Sequence, residues 1–381
     1  MSEDEQLIET RPLRFVTLSR TAKDWTCPRS RFWGYEYVGR GLSVTGTSQA
    51  LYLGSSLHDA LAVIGIRHMT GVPVDIDEVA NTVFKQIYEI LEASTTKGSV
   101  EEAKLYANEQ ATLIEGLVRG YYKHVWPRLL AKYPEIVAVE EEVVYHMSDE
   151  IKFVARPDLL MADPEGGVHY IEFKSTSSKK QEWVDSWQTA VQLHSSVKAV
   201  EATFGYLPED VTIIGFYKGY SSYGKQNSPM CYAYKKSGNP PFTKDQVEYG
   251  YKAGFKKLPV WEMEGGCKAW IESMPELVLA DQFPMTPPIY VDEDMISAFF
   301  KQRLIREEEI ALYDESNEVF TLDKVFPQKF EACSPAWGHE CEFKKICFGA
   351  VKDPIVEGYE LRVPHMEAER DQLGLNDPKE E

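Results

Sequence analysis

A chain of 381 residues with 43% apolar and 27% charged side chains has material for one large core or two modest ones, which excludes wholesale disorder. Its formal net charge of −19 excludes a uniformly basic nucleic-acid-binding surface, because affinity for phosphates rests on Lys and Arg; a contact of that kind needs a local basic groove or cations held by carboxylates. No stretch reaches the ~18 apolar residues of a membrane span and none reads as a secretory leader. The expectation is therefore a cytoplasmic protein (host cytoplasm for a phage-encoded chain) with no membrane partner, in which clustered cysteines point to metal rather than disulfides.

In chain order, the pattern predicts a helix over 19–37, carrying Trp25, Phe32 and Trp33, with Cys27-Pro28 early in it. Gly54-Ser55-Ser56 introduces a second helix over 57–67, with His58 in its first turn. Two long amphipathic segments follow at 75–93 and 100–132, closed by Pro134. The period then changes: 136–146, 152–162 and 168–175 are β-rich runs, separated by turn signals at Ser148-Asp149 and Asp163-Pro164-Glu165-Gly166-Gly167. A helix over 180–204 places Val184, Trp187, Val191, His194 and Val197 at helical spacing. Strands at 211–217 and 230–234, and helices at 244–257, 266–273 and 292–313, lead to a cysteine-bearing segment. The order predicts an α/β core, its sheet mid-chain inside a helical surround. The expected units are a helical region at 1–134, a core at 135–240, a helical and cysteine-bearing region at 241–366 and a disordered acidic tail at 367–381.

Asp158 falls in the second predicted strand, after Arg156-Pro157, and Ile171-Glu172-Phe173-Lys174 lies in the third. Glu172 and Lys174 are two apart, so on a strand they share one face while Ile171 and Phe173 point into packing on the other. A carboxylate and an amine are costly to bury without a purpose. Phosphodiester hydrolysis supplies one: two carboxylates suit a hard cation such as Mg²⁺ or Mn²⁺, and a lysine can orient or deprotonate water or stabilise the transition state. Alone, Glu172-x-Lys174 is equally an ordinary same-face ion pair.

Pro157-Asp158 followed by Glu172-x-Lys174 resembles the motif that names the PD-(D/E)XK nucleases, and further features resemble their RecB-like branch. That resemblance implies a restriction-endonuclease-like core, a central mixed sheet flanked by helices with helical elaborations at both ends. It implies His58 as a metal ligand beside Asp158 and Glu172, an additional acidic residue at Glu140, and a supporting amide at Gln192 on the helix after the lysine strand. Cys27-Pro28-Arg29 is similar to the family's N-terminal Cys-Pro-Arg motif. As a strand, the run Glu140-Glu141-Glu142 would put Glu140 and Glu142 on one face and Glu141 on the other; motif position favours Glu140. The chain departs from the family in having Ala155 for a frequent glycine, and Ser196 where a tyrosine is expected four residues after Gln192, which leaves Gln188 as a rival amide.

Cys333, Cys341 and Cys347, with Trp337 and Phe343 among them, form a dense C-terminal group that lacks a fourth ligand, for which Cys27 is the candidate. The set resembles the iron–sulfur subset of RecB-like nucleases, including AddB-type and CRISPR-adaptation enzymes, and implies a [4Fe–4S] cluster on four thiolates; the seven-residue gap after Cys333 departs from their pattern. Zinc, with His339 as a substitute ligand, is the alternative. Cys231 and Cys267 read as buried thiols.

Ser175, Thr176, Lys179 and Lys180 follow the catalytic strand where a phosphate backbone would pass, and Tyr217, Lys218, Tyr220, Tyr223 and Lys225 offer aromatic and basic groups for single-stranded bases. The expected activity is a metal-dependent DNA exonuclease acting on single strands or duplex ends, with a protein partner in recombination, repair or phage replication. A structure-specific endonuclease and a non-catalytic DNA-end scaffold remain alternatives.

Overall fold

The computed structural model describes residues 13–45, 49–94, 100–176, 181–187, 191–217, 231–234, 256–259, 268, 282–313, 319–333, 340–351, 353–355 and 358–375. Strand β1 (Arg14–Val16) leads into helix α1 (Leu18–Thr26), capped by the Thr17 hydroxyl accepting from Arg20 N–H. The single helix expected over 19–37 is broken at Cys27, whose extended backbone ends α1 and starts a short turn at Pro28–Arg31, followed by a π-turn over Phe32–Glu36. Proline supplies the break: it has no N–H for a continuing ladder, yet its fixed φ suits the first turn of a new helix. Three helices follow: α2 (Gln49–Met69), α3 (Ile76–Ser94) and α4 (Val100–Gly120).

The expected strands 136–146 and 152–162 are each cut in two. Their halves are β2 (Glu135–Val139) with β3 (Val143–His146), and β4 (Ile151–Ala155) with β5 (Leu159–Ala162). In each pair the chain crosses from one sheet to another at the cut. Strand β6 (Val168–Thr176), helix α5 (Val191–Phe204), strand β7 (Asp210–Tyr217), strand β8 (Ile289–Tyr290) and helix α6 (Glu293–Ala311) complete the core. The larger sheet has the order β8–β7–β6–β5–β2, parallel between β6 and β7 and antiparallel elsewhere; the smaller has the order β1–β4–β3. This is the mixed sheet among helices that the sequence predicts. The parallel step requires a crossover, which α5 provides.

The faces of the large sheet meet different layers. Ile171 and Phe173 of β6 pack with Leu57, Leu61 and Ile64 of α2 and Ile114 and Leu117 of α4. Tyr170 of β6 packs on the other face with Leu193, Val197 and Val200 of α5 and Phe299 and Phe300 of α6. At Gly65, two helical turns beyond His58, a Cβ would stand 3.0 Å from Val139, so the glycine lets α2 lie close against the end of β2.

The tail expected to be disordered is ordered through 375: Glu367–Gln372 is helical, and Glu369 is buried, pairing with Arg20 at 2.8 Å and Arg362 at 2.6 Å. The remaining positions of that tail, the predicted helix 266–273 apart from Lys268, and residues 244–255 of the helix predicted at 244–257 lie outside the described residues. Lys256 and Lys257 of that helix instead open a strand at Lys256–Pro259 that pairs with Cys231–Tyr234.

Beside α1, a charged network joins the two ends of the chain. Arg31 is fully buried and donates to both Glu307 carboxylate oxygens at 2.6 Å, and Glu36 accepts from its Nε at 3.1 Å. Arg303 and Arg306 of α6 reach Asp24 of α1 at 2.8 and 3.0 Å. Burial alone would raise the Glu36 carboxyl, but Arg31, Arg20 and Arg14 outweigh it and bring it from 4.5 down to about 2. Its folded value lies below its unfolded one, so its contribution is complete above the ordinary carboxylate range and is lost as pH falls toward 2. Glu307→Gln removes one of the two carboxylates bonded to the buried Arg31 and leaves Glu36 on it; it is expected to cost about 1.5–3 kcal/mol, read as a shift of the denaturant midpoint at unchanged slope.

Candidate active site

The two sheet crossings deliver the two outer carboxylates. Asp158 sits in the crossing between β4 and β5, immediately before β5 rather than inside a strand. Pro157 precedes it, where a missing backbone donor interrupts a ladder. Glu140 occupies the matching position after β2 with a left-handed φ of +49°, so the strand alternation expected for Glu140 to Glu142 does not operate. That conformation is uncommon for a non-glycine residue. It is held by Glu140 N–H donating to the Asp158 carbonyl at 3.1 Å. Glu142 is engaged elsewhere, accepting from Arg156 at 3.3 Å and from the backbone N–H groups of Glu367 and Ala368.

His58 comes in from α2. Its Nδ1 lies 2.8 Å from Asp158 Oδ1 and 3.8 Å from Glu140 Oε1. One ligand atom from each of these three residues falls within 4.8 Å of the others, a donor set of one imidazole and two carboxylates that fits a divalent cation. Burial pulls the His58 imidazole down, but the Asp158 charge and hydrogen bond, with Glu140, override it and bring it to about 10.

The other Asp158 oxygen, Oδ2, accepts from Phe173 N–H at 2.5 Å, which ties the crossing to the edge of β6. On that strand Tyr170, Glu172 and Lys174 share one face by alternation. Glu172 is buried; one of its oxygens accepts from the Tyr170 hydroxyl and the other from Lys174 Nζ. Burial raises the Glu172 carboxyl, Asp158 adds to the rise and Lys174 opposes it. Burial lowers the Lys174 ammonium, but Glu172 and Asp158 more than compensate and the net direction is upward.

These side chains open into a cavity of about 360 Å³ whose rim includes Thr17, Ser19, Ser55, Arg156, Ser196, His365 and Met366. Ser196, the departure from the expected tyrosine, is buried on α5 and hydrogen-bonds Tyr170. The hydroxyl that braces Glu172 therefore comes from the same strand, two residues before it. Tyr170 was open to detection by strand alternation; His365 and Met366 carry no local signal, since only the fold brings the C-terminal segment to this rim.

His58, Glu140, Asp158, Glu172 and Lys174 are brought together. Gln192 lies in the first turn of α5, but its side chain lies outside the described residues, as does the rival Gln188. Of the expected nucleic-acid contacts, Thr176 is buried rather than presented to solvent, Ser175 is half-buried, and Lys179 and Lys180 lie outside the described residues. Tyr217 is buried too, while Lys218, Tyr220, Tyr223 and Lys225 lie outside.

Cys27, Cys333, Cys341 and Cys347 are free thiols, and among the described residues no three of their sulfurs fall within 4.8 Å of one another. Cys27 Sγ accepts from Lys329 N–H at 3.4 Å, Cys341 N–H donates to the Cys333 carbonyl at 3.2 Å, and the Cys347 carbonyl accepts from Gln328 at 3.1 Å. Burial pushes the Cys333 thiol up, with Cys341 and Cys27 adding to it; burial and the same two neighbours bring Cys347 up to about 11. Cys231 has only its backbone described, in a strand, and Cys267 lies outside the described residues.

The family model of the PD-(D/E)XK nuclease superfamily matches residues 17–348. The chain belongs to this superfamily. Membership implies metal-dependent hydrolysis of nucleic acid, for which Mg²⁺ or Mn²⁺ is the usual ion. No curated protein matches the chain. A solved structure described as "Crystal structure of SSO0001" is similar at 13% identity over 46% of this chain and 84% of that one, with a TM-score of 0.21, too slight a likeness to argue from.

Replacing Tyr170 by Phe removes the hydroxyl from a buried carboxylate oxygen. The expected cost is about 1–3 kcal/mol, measured by equilibrium denaturation of the metal-free chain, with Ser196→Ala costing less because it touches Glu172 only through Tyr170.

Proposed function

We propose that this nuclease is a metal-dependent DNA exonuclease in which His58, Glu140, Asp158 and Glu172 hold the cation and Lys174 serves the reacting phosphate. The convergence of His58, Glu140 and Asp158 within 4.8 Å, beside the buried Glu172 and Lys174, supports this assignment. A divalent ion held there supplies Lewis acidity toward a phosphodiester oxygen and lowers the pKa of attacking water. The chain's own groups do the rest. Glu172, braced by Tyr170, is fixed in direction. Lys174 donates to Glu172 and offers its ammonium to charge that develops on phosphorus oxygens. Phe173 N–H keeps Asp158 turned toward His58.

The preference for ends over internal bonds rests on the resemblance to RecB-like exonucleases; a structure-specific endonuclease is the second reading. Lys174→Ala and Asp158→Ala are expected to lower Mg²⁺- or Mn²⁺-dependent cleavage by at least about two orders of magnitude, the scale of a lost transition-state contact. Retained activity in either would sink the site assignment. Linear and covalently closed circular DNA, single- and double-stranded, separate the two modes, since cleavage of circles contradicts exonuclease action.

We further propose that Cys27, Cys333, Cys341 and Cys347 ligate a [4Fe–4S] cluster, which supplies a structural cross-link between the chain ends. Support comes from the resemblance of the cysteine pattern to iron–sulfur RecB-like nucleases and from the four-thiolate ligation such clusters take. Closing a loop of this length removes a large share of unfolded-chain entropy. Anaerobically purified protein is expected to be brown, with a visible charge-transfer band and about four irons per chain; Cys333→Ser should bleach it and lower thermal stability. A colourless, zinc-bearing preparation would refute the cluster in favour of zinc.

A further inference from the structure

A second group of metal-capable side chains lies at the hairpin end of the large sheet. Asp163 opens the turn between β5 and β6, His169 is the second residue of β6, and Glu209 immediately precedes β7. Their ligand atoms also fall within 4.8 Å of one another. His169 alternates with Glu172, so this group is on the opposite face of β6 from the active site, the His169 ring lying tilted against Tyr133 at 4.4 Å between ring centres.

The contacts of the imidazole are those of a metal ligand lacking its ion. Nδ1 lies 3.1 Å from Asp210 Oδ2, while Nε2 lies 3.2 Å from Asp163 Oδ2. A neutral imidazole carries one N–H and can donate to only one of the two carboxylates. With Nδ1–H on Asp210, the Nε2 lone pair faces another acceptor. A histidine that donates one ring N–H to a carboxylate and turns the other nitrogen toward further oxygen ligands is the usual arrangement around bound metals.

Two further observations are independent of that ring. Asp210 is buried, and its second oxygen, Oδ1, has no hydrogen-bond partner among the described residues. At Gly167 a Cβ would stand 2.5 Å from Glu209 Oε1 and 3.0 Å from Asp163 Oδ2, so a larger residue would push the Glu209 carboxylate from its present position. The Gly167 φ is not left-handed, so the requirement is close approach rather than backbone conformation. Asp163 and Asp210 thus flank one imidazole, with Glu209 beside them, and Lys132 acts on Asp210 electrostatically without an ion pair to it.

We propose that Asp163, His169 and Glu209 bind a divalent transition-metal ion, Mn²⁺ or Zn²⁺, with Asp210 orienting His169. The mixed imidazole and carboxylate set favours these ions over Mg²⁺. The bound ion fastens the β5–β6 turn to the start of β7 and so braces β6 from the end opposite Lys174.

The test is a titration of the full chain with Mn²⁺, counting free ion by electron paramagnetic resonance. Manganese is chosen because thiolates compete poorly for it. Glu209 is exposed, so Glu209→Gln should leave the fold intact. It is expected to remove one equivalent of tightly bound Mn²⁺ while nuclease activity at saturating Mg²⁺ stays within about twofold. Gly167→Ala, which deletes no ligand, should weaken the same equivalent at least tenfold. Asp158→Ala should remove a different one, so loss of the catalytic assignment and loss of this one are separately visible. Equal counts in the wild-type chain, Glu209→Gln and Gly167→Ala overturn the proposal and leave His169 as a hydrogen-bonded bridge between Asp163 and Asp210.

Discussion

The geometry of the active site depends on Asp158 being held from three directions at once. Its carbonyl accepts from Glu140 N–H, one carboxylate oxygen accepts from Phe173 N–H and the other faces His58. These contacts join α2, both sheet crossings and the central strand through a single residue. None could persist if β4 continued straight into β5, because an uninterrupted strand would hydrogen-bond its backbone to one sheet only. The cut at Pro157 turns a structural discontinuity into a candidate ligand position, and the left-handed backbone at Glu140 does the same on the neighbouring crossing. Strain of this kind persists only where surroundings determine it several times over.

Much of this was readable in the sequence, and the parts that failed share a cause. Strand alternation correctly put Glu172 and Lys174 on one face, because a period of two is a local property of backbone. The same reasoning treated 136–146 and 152–162 as continuous strands, because transfer between sheets leaves no change in hydrophobic period when both sheets are buried. Pro157 was the available sign, and it was read as part of a motif rather than as a break. The helix expected over 19–37 failed in the same way at Cys27-Pro28. The order of Glu367–Gln372 could not be inferred locally at all: an acidic, weakly apolar segment is held by Arg20 and Arg362, one of them more than three hundred residues away.

The identity of the hydroxyl beside Glu172 shows how a family pattern can be kept while its residue moves. A tyrosine four residues after Gln192 would approach the lysine strand from α5. Here α5 carries Ser196, and Tyr170 supplies the phenol from β6 itself. A strand-borne donor two residues before Glu172 is set by the pleat, whereas one on a helix depends on packing between layers. The exchange therefore leaves the buried carboxylate satisfied with less dependence on the position of α5.

The net charge of −19 bears on how such a site meets a polyanion. The buried arginines, Arg20, Arg29, Arg31, Arg119 and Arg303, are nearly balanced by buried Asp24, Asp158, Glu172, Asp210, Glu307 and Glu369, so the excess of negative charge is carried by the surface. A nucleic acid approaching that surface is repelled beyond a Debye length and attracted only where cations are concentrated. Lys174 and Arg156 line the cavity beside Asp59, Glu140, Asp158 and Glu172, so on the proposed assignment a divalent ion on those carboxylates supplies the attraction. Few phosphates are then neutralised by side chains, so affinity falls less steeply with monovalent salt than for a basic-groove enzyme. On the proposed assignment, occupancy of the metal site rather than a broad cationic surface would govern substrate engagement.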